Sequence, residues 1–419
     1  GLHTNPYIGI LFFLILPAIF LCGLVLIPLG AWIERRRRAA GKTPSAVSWP
    51  RIDLNDPTHR TTAVIVFTLT VANIVVVSLA AYRGVEYMDS PQFCGQVCHT
   101  VMKPEFVAHE SQPHSRVKCV ECHVGPGASS FAMAKLAGTR RVLAVALRNY
   151  PRPIVASADQ LLSAGDTCEK CHWSEKFHGD KVRRITEYAN DEKNTESVTT
   201  LRVHVGGGNG RLGTATGIHW HMNVANEIDY IATDAERQVI PYVRMKDGRG
   251  TVREWAADGV TPEQLAKGER RRMDCQDCHN RPSHAIAATP ERAVDESMAL
   301  GHIPTTLPFI RREAVKVLKA SHASQDAAVA EISRTLRKFY QSETPVSVTR
   351  APEVDRAILA VQDLYRRSVF PEMKVGFGTY PNNIGHVDFP GCFRCHDDNH
   401  TSTDGKTIGQ DCETCHAIE

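Results

Sequence analysis

The sequence predicts two N-terminal transmembrane helices followed by a mainly α and irregular domain, folded around bound groups and carrying a small β insert. Three observations predict this. Two uncharged runs, residues 8–33 and 61–82, each reach the roughly 20 residues that span a bilayer. Six cysteine pairs are strung along residues 94–416, and each second Cys is followed at once by His. Between the third and fourth pairs lie about a hundred residues with no such motif but with short alternating apolar segments.

The first run is read as a helix kinked at Pro17 and Pro28. Between the runs stand Arg35, Arg36, Arg37, Arg38, Lys42, Arg51 and Arg60 against only Glu34, Asp53 and Asp56. Such an excess of basic residues places a short loop on the cytoplasmic side, so the chain beyond residue 82 faces outside. The arginine run also suits a lipid- or partner-binding patch, but its position between two spans favours the topological role. Gly1 then starts outside, and a further span upstream of it is expected. Cys22 reads as a small buried apolar residue. Residues 1–84 form the anchor.

The pairs are Cys94/Cys98, Cys119/Cys122, Cys168/Cys171, Cys275/Cys278, Cys392/Cys395 and Cys412/Cys415. Histidine makes up 19 of 419 residues, about one in twenty, so its presence after all six pairs is not chance. Five pairs read C-x-x-C-H, and the first, CGQVCH, has one residue more between its cysteines. Two thiols at this spacing reach the two vinyl groups of a haem, and the adjacent His meets the iron from the same turn. Structural zinc calls for paired C-x-x-C units or Cys2His2 spacing, and disulfides leave the histidines unexplained. The fold class is therefore a multihaem cytochrome c with six covalently bound haem c groups. That also supplies the cohesion that an aromatic content of 7% does not. The formal charge of +3 is offset by haem propionates, so nucleic-acid binding is not supported.

Three motifs fall in residues 85–180 and three in 263–419, giving two trihaem modules. Residues 181–262 form the haem-free β insert. There TLRVHV (200–205), GIHWHM (217–222), NEIDYIAT (226–233), VIPYVRM (239–245) and GTVREW (250–255) read as strands. Apolar spacing predicts helices over 131–148, 290–300, 309–322, 324–341 and 352–369, with Pro304, Pro308, Pro345 and Pro352 at boundaries. The faces of the last four pack against one another, against haem edges or against a partner.

Six histidines are proximal ligands by position: His99, His123, His172, His279, His396 and His416. Eleven others in the outer domain suffice to close every sixth position, which favours electron transfer over chemistry at an open iron. His178, His284 and His400 follow a motif closely enough to serve a neighbouring haem. His386 and His114 precede Cys392 and Cys119 closely, and these five rank first. His219 or His221 comes next, the two sharing one face of the strand expected there. Met102, one helical turn beyond His99, is an alternative ligand for the first haem.

With the first motif about a dozen residues after the second run, Met102 shortly past its His, and SQPHSRVKCVECHVGP (111–126), the chain resembles the NapC/NirT/NrfH family of quinol-oxidising cytochromes. The resemblance covers roughly residues 60–180 and is closest to the larger inner-membrane members that feed extracellular electron-transfer chains. CFRCHDDNHTSTDGKTIGQDCETCH (392–416) is similar to a motif of many multihaem cytochromes. The chain departs from the family in its C-x-x-x-C-H-x-x-Met first site, its second span, its extra helices and its insert. The resemblance implies quinol oxidation at the haem nearest the membrane, with His114 a distal ligand and Lys135 lining the quinol pocket. The acidic residue usual two turns after that lysine is missing from TRRVLAVAL (139–147). A base must then come from Glu105, His109 or Glu110, with Glu110 the residue chosen here.

The leading expectation is a quinol dehydrogenase, a quinol:cytochrome c oxidoreductase in the bacterial inner membrane that draws on the (mena)quinol pool. Its haem domain faces the periplasm and delivers electrons to a periplasmic cytochrome or other redox protein. The alternative is an electron-transfer haem subunit of a larger membrane respiratory complex that does not itself oxidise quinol. A terminal reductase is disfavoured, since no C-x-x-C-K motif occurs.

Overall fold

Helix α1 (Leu16–Ala39) contains Pro28 and ends in the arginine run, and helix α2 (Pro57–Met88) is capped by Asp56, whose Oδ1 accepts the N–H of Thr58 at 2.7 Å. Pro57 opens the first turn of α2, where its missing N–H costs nothing. Among the described residues α2, 32 residues long, is the one helix whose length and hydropathy suit a membrane span. Val64, Phe67, Leu69, Ile74 and Val76 on it are exposed, a continuous apolar surface that water does not favour. The computed structural model describes residues 16–39, 53–97, 99–125, 127–154, 162–173, 176–207, 216–223, 226–344, 346 and 348–419. Residues 8–15 of the first predicted span lie outside these. The chain divides into two units, Gly1–Val97 and Cys98–Glu419. In the first, Tyr87 at the end of α2 meets Phe93 edge to face at 5.5 Å, and Cys94 lies in a π-turn, Phe93–Val97.

The second unit begins with α3 (His99–Glu110), a single turn α4 (Cys119–His123) and α5 (Ala128–Ala146). Its strands are β1 (Lys181–Tyr188), β2 (Glu196–Val203), β3 (Glu227–Ala232), β4 (Tyr242–Lys246) and β5 (Val252–Ala257). The short α6 (Pro262–Lys267), capped by a Thr261/Gln264 box, leads into β6 (Glu269–Arg272) and α7 (Cys275–Cys278). Then follow α8 (Pro290–Ala299), α9 (Ile310–Leu318), α10 (Gln325–Lys338) and α11 (Ala351–Ser368). Strand β7 (His400–Ser402), α12 (Cys412–Cys415) and β8 (His416–Ile418) complete the chain. All strand pairs are antiparallel, in two sheets of order β1-β2-β8 and β6-β3-β4-β5-β7.

Helices α8 to α11 bury their apolar stripes against one another: Val294, Ile310, Ala314, Ile332, Leu336, Ala357 and Val361 are fully buried in one core. Packing within the layer, not against a separate body, accounts for the periodicity seen in the sequence. One prediction is corrected. GIHWHM is no strand; Ile218–Met222 is a 3-10 turn, entered through Gly217 at φ +67°, a conformation that breaks an extended run.

The five-stranded sheet grips the fourth cysteine motif through Asp277. Its buried carboxylate accepts from Tyr230 Oη on β3 at 2.5 Å and from Arg271 Nε on β6 at 3.0 Å. Its carbonyl accepts from Asn383 Nδ2 at 2.9 Å and from Arg394 Nη2, within the fifth motif, at 2.7 Å. Removing one partner from a buried pair leaves the other charge uncompensated. Arg271→Ala is expected to lower stability by about 3–5 kcal/mol, read from the unfolding midpoint. A midpoint equal to that of the parent chain would show that Tyr230 alone suffices.

Candidate functional site

The motifs share a local geometry. The backbone N–H of His172, His279 and His396 bonds back to the carbonyl of the first Cys of its own motif, Cys168, Cys275 and Cys392, at 2.8, 2.8 and 3.0 Å. The cap N–H of His416 returns to Cys412 in the same way. This single turn carries both sulfurs and the imidazole on one short stretch of chain. Among the described motif cysteines, Cys122, Cys168, Cys171, Cys275, Cys278, Cys392, Cys395, Cys412 and Cys415 form no disulfide. Burial pushes the thiols of Cys275 and Cys278 up to about 11 and that of Cys395 up to about 12. Among the described residues no three His, Cys, Asp or Glu side chains converge as in a closed metal site.

Cys122, Cys171 and Cys412 are exposed, and Cys412 lines an open cleft. The physical reason at Cys171 is local. It ends the short 3-10 turn Cys168–Lys170, its N–H bonded to Cys168 O at 3.1 Å, and the following His172 and Trp173 are exposed with it. A tethering role for Cys171 therefore rests on the spacing of its motif and not on burial of its sulfur.

What converges in the second unit, among the described residues, is imidazoles. His123 lies 6.2 Å from His284, His172 6.1 Å from His114, His279 6.3 Å from His219, His396 5.8 Å from His221 and His416 6.1 Å from His386, centroid to centroid. Each pair joins the His of one C-x-x-C-H motif to one outside the motifs. A metal–nitrogen bond of about 2 Å on either side, added to the half-widths of two rings, gives about 6 Å between centroids. The interplanar angles run from 6° to 82°, so the rings do not simply stack.

The non-motif partners are held by their other nitrogen. Nδ1 of His114, His219, His221 and His284 lies 3.1, 3.0, 2.7 and 2.9 Å from the carbonyls of Pro282, Val205, Ile218 and Glu105. A carbonyl accepts only, so Nδ1 carries the proton and Nε2 keeps its lone pair, the tautomer a metal ligand requires. Burial also holds His221 and His284 below the ordinary histidine range, in the neutral form. At the sixth motif an open cleft of about 470 Å³ is lined by His204, Cys412, Glu413, His416, Ala417 and Ile418. The donor set therefore fits haem c at five motifs: two thiols, a motif His and a facing His.

Cys168 adds to the rise at both Cys122 and Cys275, behind the larger effect of burial, so the third motif neighbours the second and the fourth. Cys392 adds likewise at Cys278 and Cys415, so the fifth neighbours the fourth and the sixth.

Other sequence candidates fare differently. His400 is corrected: it is 1% exposed, and its Nδ1 and Nε2 are both engaged, by Asp397 Oδ1 at 2.7 Å and Ile240 O at 2.6 Å, leaving no nitrogen for iron. His178 is exposed with Nδ1 on Lys176 O at 2.9 Å, and meets no second imidazole among the described residues. Cys98 and the side chains of His99 and Lys135 lie outside the described residues, although Lys135 has its backbone within α5. Met102 is half-buried on α3 and Glu110 is exposed at its end. Glu105 is drawn into an ion pair with Arg281 at 3.2 Å and is not a free base. His109 is buried, its Nδ1 2.6 Å from Ser283 Oγ, its ring 6.0 Å from His284 and its Nε2 without a hydrogen-bond partner. Sequence reasoning missed Tyr230, Arg271, Asn383 and Arg394, which fix the motifs through backbone and carboxylate groups that leave no pattern in the sequence.

No protein-family model matches the chain, and no solved structure is similar to it. It is 42% identical, over 417 residues, to the cytochrome c-type protein ImcH of Geobacter sulfurreducens, covering 99% of this chain and 82% of that protein. Identity at that level across nearly the whole length is common descent, and the chain belongs to the family of the cytochrome c-type protein ImcH.

Proposed function

We propose that the chain is a hexahaem c-type cytochrome of the bacterial inner membrane that oxidises (mena)quinol and delivers electrons to a periplasmic redox protein. The five imidazole pairs carry this reading. Haem c, when bound, supplies one-electron redox chemistry. The cysteines would tether it, and the motif histidines together with His284, His114, His219, His221 and His386 would hold its iron at motifs two to six. Two histidines for each such iron would leave no site for a small substrate, which suits electron transfer and disfavours a reductase.

Apolar α2 and the basic loop before it support an anchor of two spans, α1 being the first, with the haem unit in the periplasm. Lys135 orients the quinol headgroup and Glu110 removes protons beside the first haem, which His99 or, in its place, Met102 would ligate. The engagement of Glu105 by Arg281 favours a second reading, a haem subunit of a larger complex that receives electrons from another subunit. Quinol-driven reduction of the purified chain separates the two. Unchanged rates in both Lys135→Leu and Glu110→Gln variants that keep every haem would remove this quinol site.

Three outcomes are expected. Intact mass shows six added haems; a mass short by one would assign Cys94 and Cys98 to something else. Absorption and paramagnetic resonance spectra are dominated by low-spin iron, the first haem excepted; mainly high-spin spectra would restore the reductase. His400→Ala keeps the haem count and spin state but lowers stability by about 1–3 kcal/mol, because the Ile240 carbonyl and Asp397 lose their partner. A new high-spin signal in that variant would put His400 on iron.

A further inference from the structure

The turn Ile218–Met222 offers two imidazoles, two positions apart, to two different motifs. His219 lies parallel to His279, at 6.3 Å and 6°, and His221 stands across His396, at 5.8 Å and 82°. In a turn of this tightness side chains two apart diverge, so one segment reaches two groups. Both Nδ1 anchors are carbonyls of the turn itself or of the strand end beside it, Ile218 and Val205. The N–H groups of Ile218 and His219 are held by His204 O at 2.9 Å and Val205 O at 3.0 Å, and Trp220 packs into the core of the five-stranded sheet.

The turn fits only because glycines let two backbones touch. A Cβ on Gly217, at φ +67°, would stand 2.5 Å from His204 O, and one on Gly206, at φ +58°, would stand 1.8 Å from Thr216 O. On the far side the motifs are tied to each other directly, through Arg394 of the fifth and the Asp277 carbonyl of the fourth. Resting on the six-haem reading, we infer that residues 216–223 are a shared ligand clamp. The clamp supplies the sixth ligand to the haems of the fourth and fifth motifs together and fixes their separation. Displacing it opens both irons at once, at the midpoint of the motif series from the third to the sixth.

The test uses the full chain in detergent, with haem number by intact mass and spin state by low-temperature resonance. His219→Gly and His221→Gly are each expected to turn one haem of the six high-spin, reversed by added imidazole. Gly217→Ala, which touches no ligand, is expected to turn two high-spin together; Gly206→Ala reports the same where Gly217→Ala does not accumulate. All six haems present, with low-spin spectra in the histidine variants or only one opened haem in both glycine variants, would overturn the clamp. A parent mass without six haems would overturn the six-haem reading instead.

Discussion

Two imidazoles with centroids about 6 Å apart, one from a cysteine motif and one from elsewhere, recur at five motifs of the second unit and constrain the segments between them. The partners are far apart in the chain: His123 with His284, His172 with His114, His279 with His219, His396 with His221. Each pair closes a long loop, and the fold must offset the entropy of that closure. The anchoring of Nδ1 by backbone carbonyls follows from the same demand. A ring free to turn about its χ angles presents Nε2 in many directions; one tied to Pro282, Val205, Ile218 or Glu105 presents it in one.

The two sheets divide the work of holding the motifs. Strand β2 pairs with β8, so Val203 stands opposite His416 and the sixth motif is fixed by ladder bonds. Strands β3 and β6 present Tyr230 and Arg271 to Asp277 in the fourth motif, and Arg394 then carries the constraint to the fifth. His400 belongs to this second system. It stands opposite Ala257 on β5 and ties Asp397, next to His396, to the carbonyl of Ile240.

How far the sequence revealed this depended on how local each feature was. The helices at 290–300, 309–322, 324–341 and 352–369 were readable, within a few residues at their ends, because their burial repeats with the helical period. Strand β1 escaped notice: KVRRITEY is exposed over its first half, with no apolar alternation to mark it. Strands β7 and β8, three residues each, exist only because β5 and β2 are there to pair with them. GIHWHM misled because its alternation of apolar and His residues imitates a strand, while its glycine and its two diverging imidazoles make it a turn. The C-x-x-C-H motifs were plain, but which imidazole faces which, and how far a thiol such as Cys171 is enclosed, depends on tertiary structure. His400, four residues past His396, had the right spacing and a different partner.

The helical layer carries no imidazole pair, yet it is positioned to govern two of them. Asn194, in the left-handed region at φ 49° between β1 and β2, donates to the carbonyls of Thr305 and Leu307 at 3.0 and 2.9 Å and accepts from Arg311 N at 3.0 Å. Arg311 in turn forms a two-pronged pair with buried Asp295 on α8, the strongest geometry available to an arginine and a carboxylate. The hairpin so fixed carries β8 and with it His416. At the other end, Gln325 on α10 accepts from Lys103 on α3 at 2.9 Å, and α3 supplies the Glu105 carbonyl that aims His284. A close-packed core of Ile, Leu and Val transmits displacement because it has no room to absorb it. The layer is thus hydrogen-bonded at one end to the hairpin that pairs with β8 and at the other to the helix whose Glu105 carbonyl aims His284.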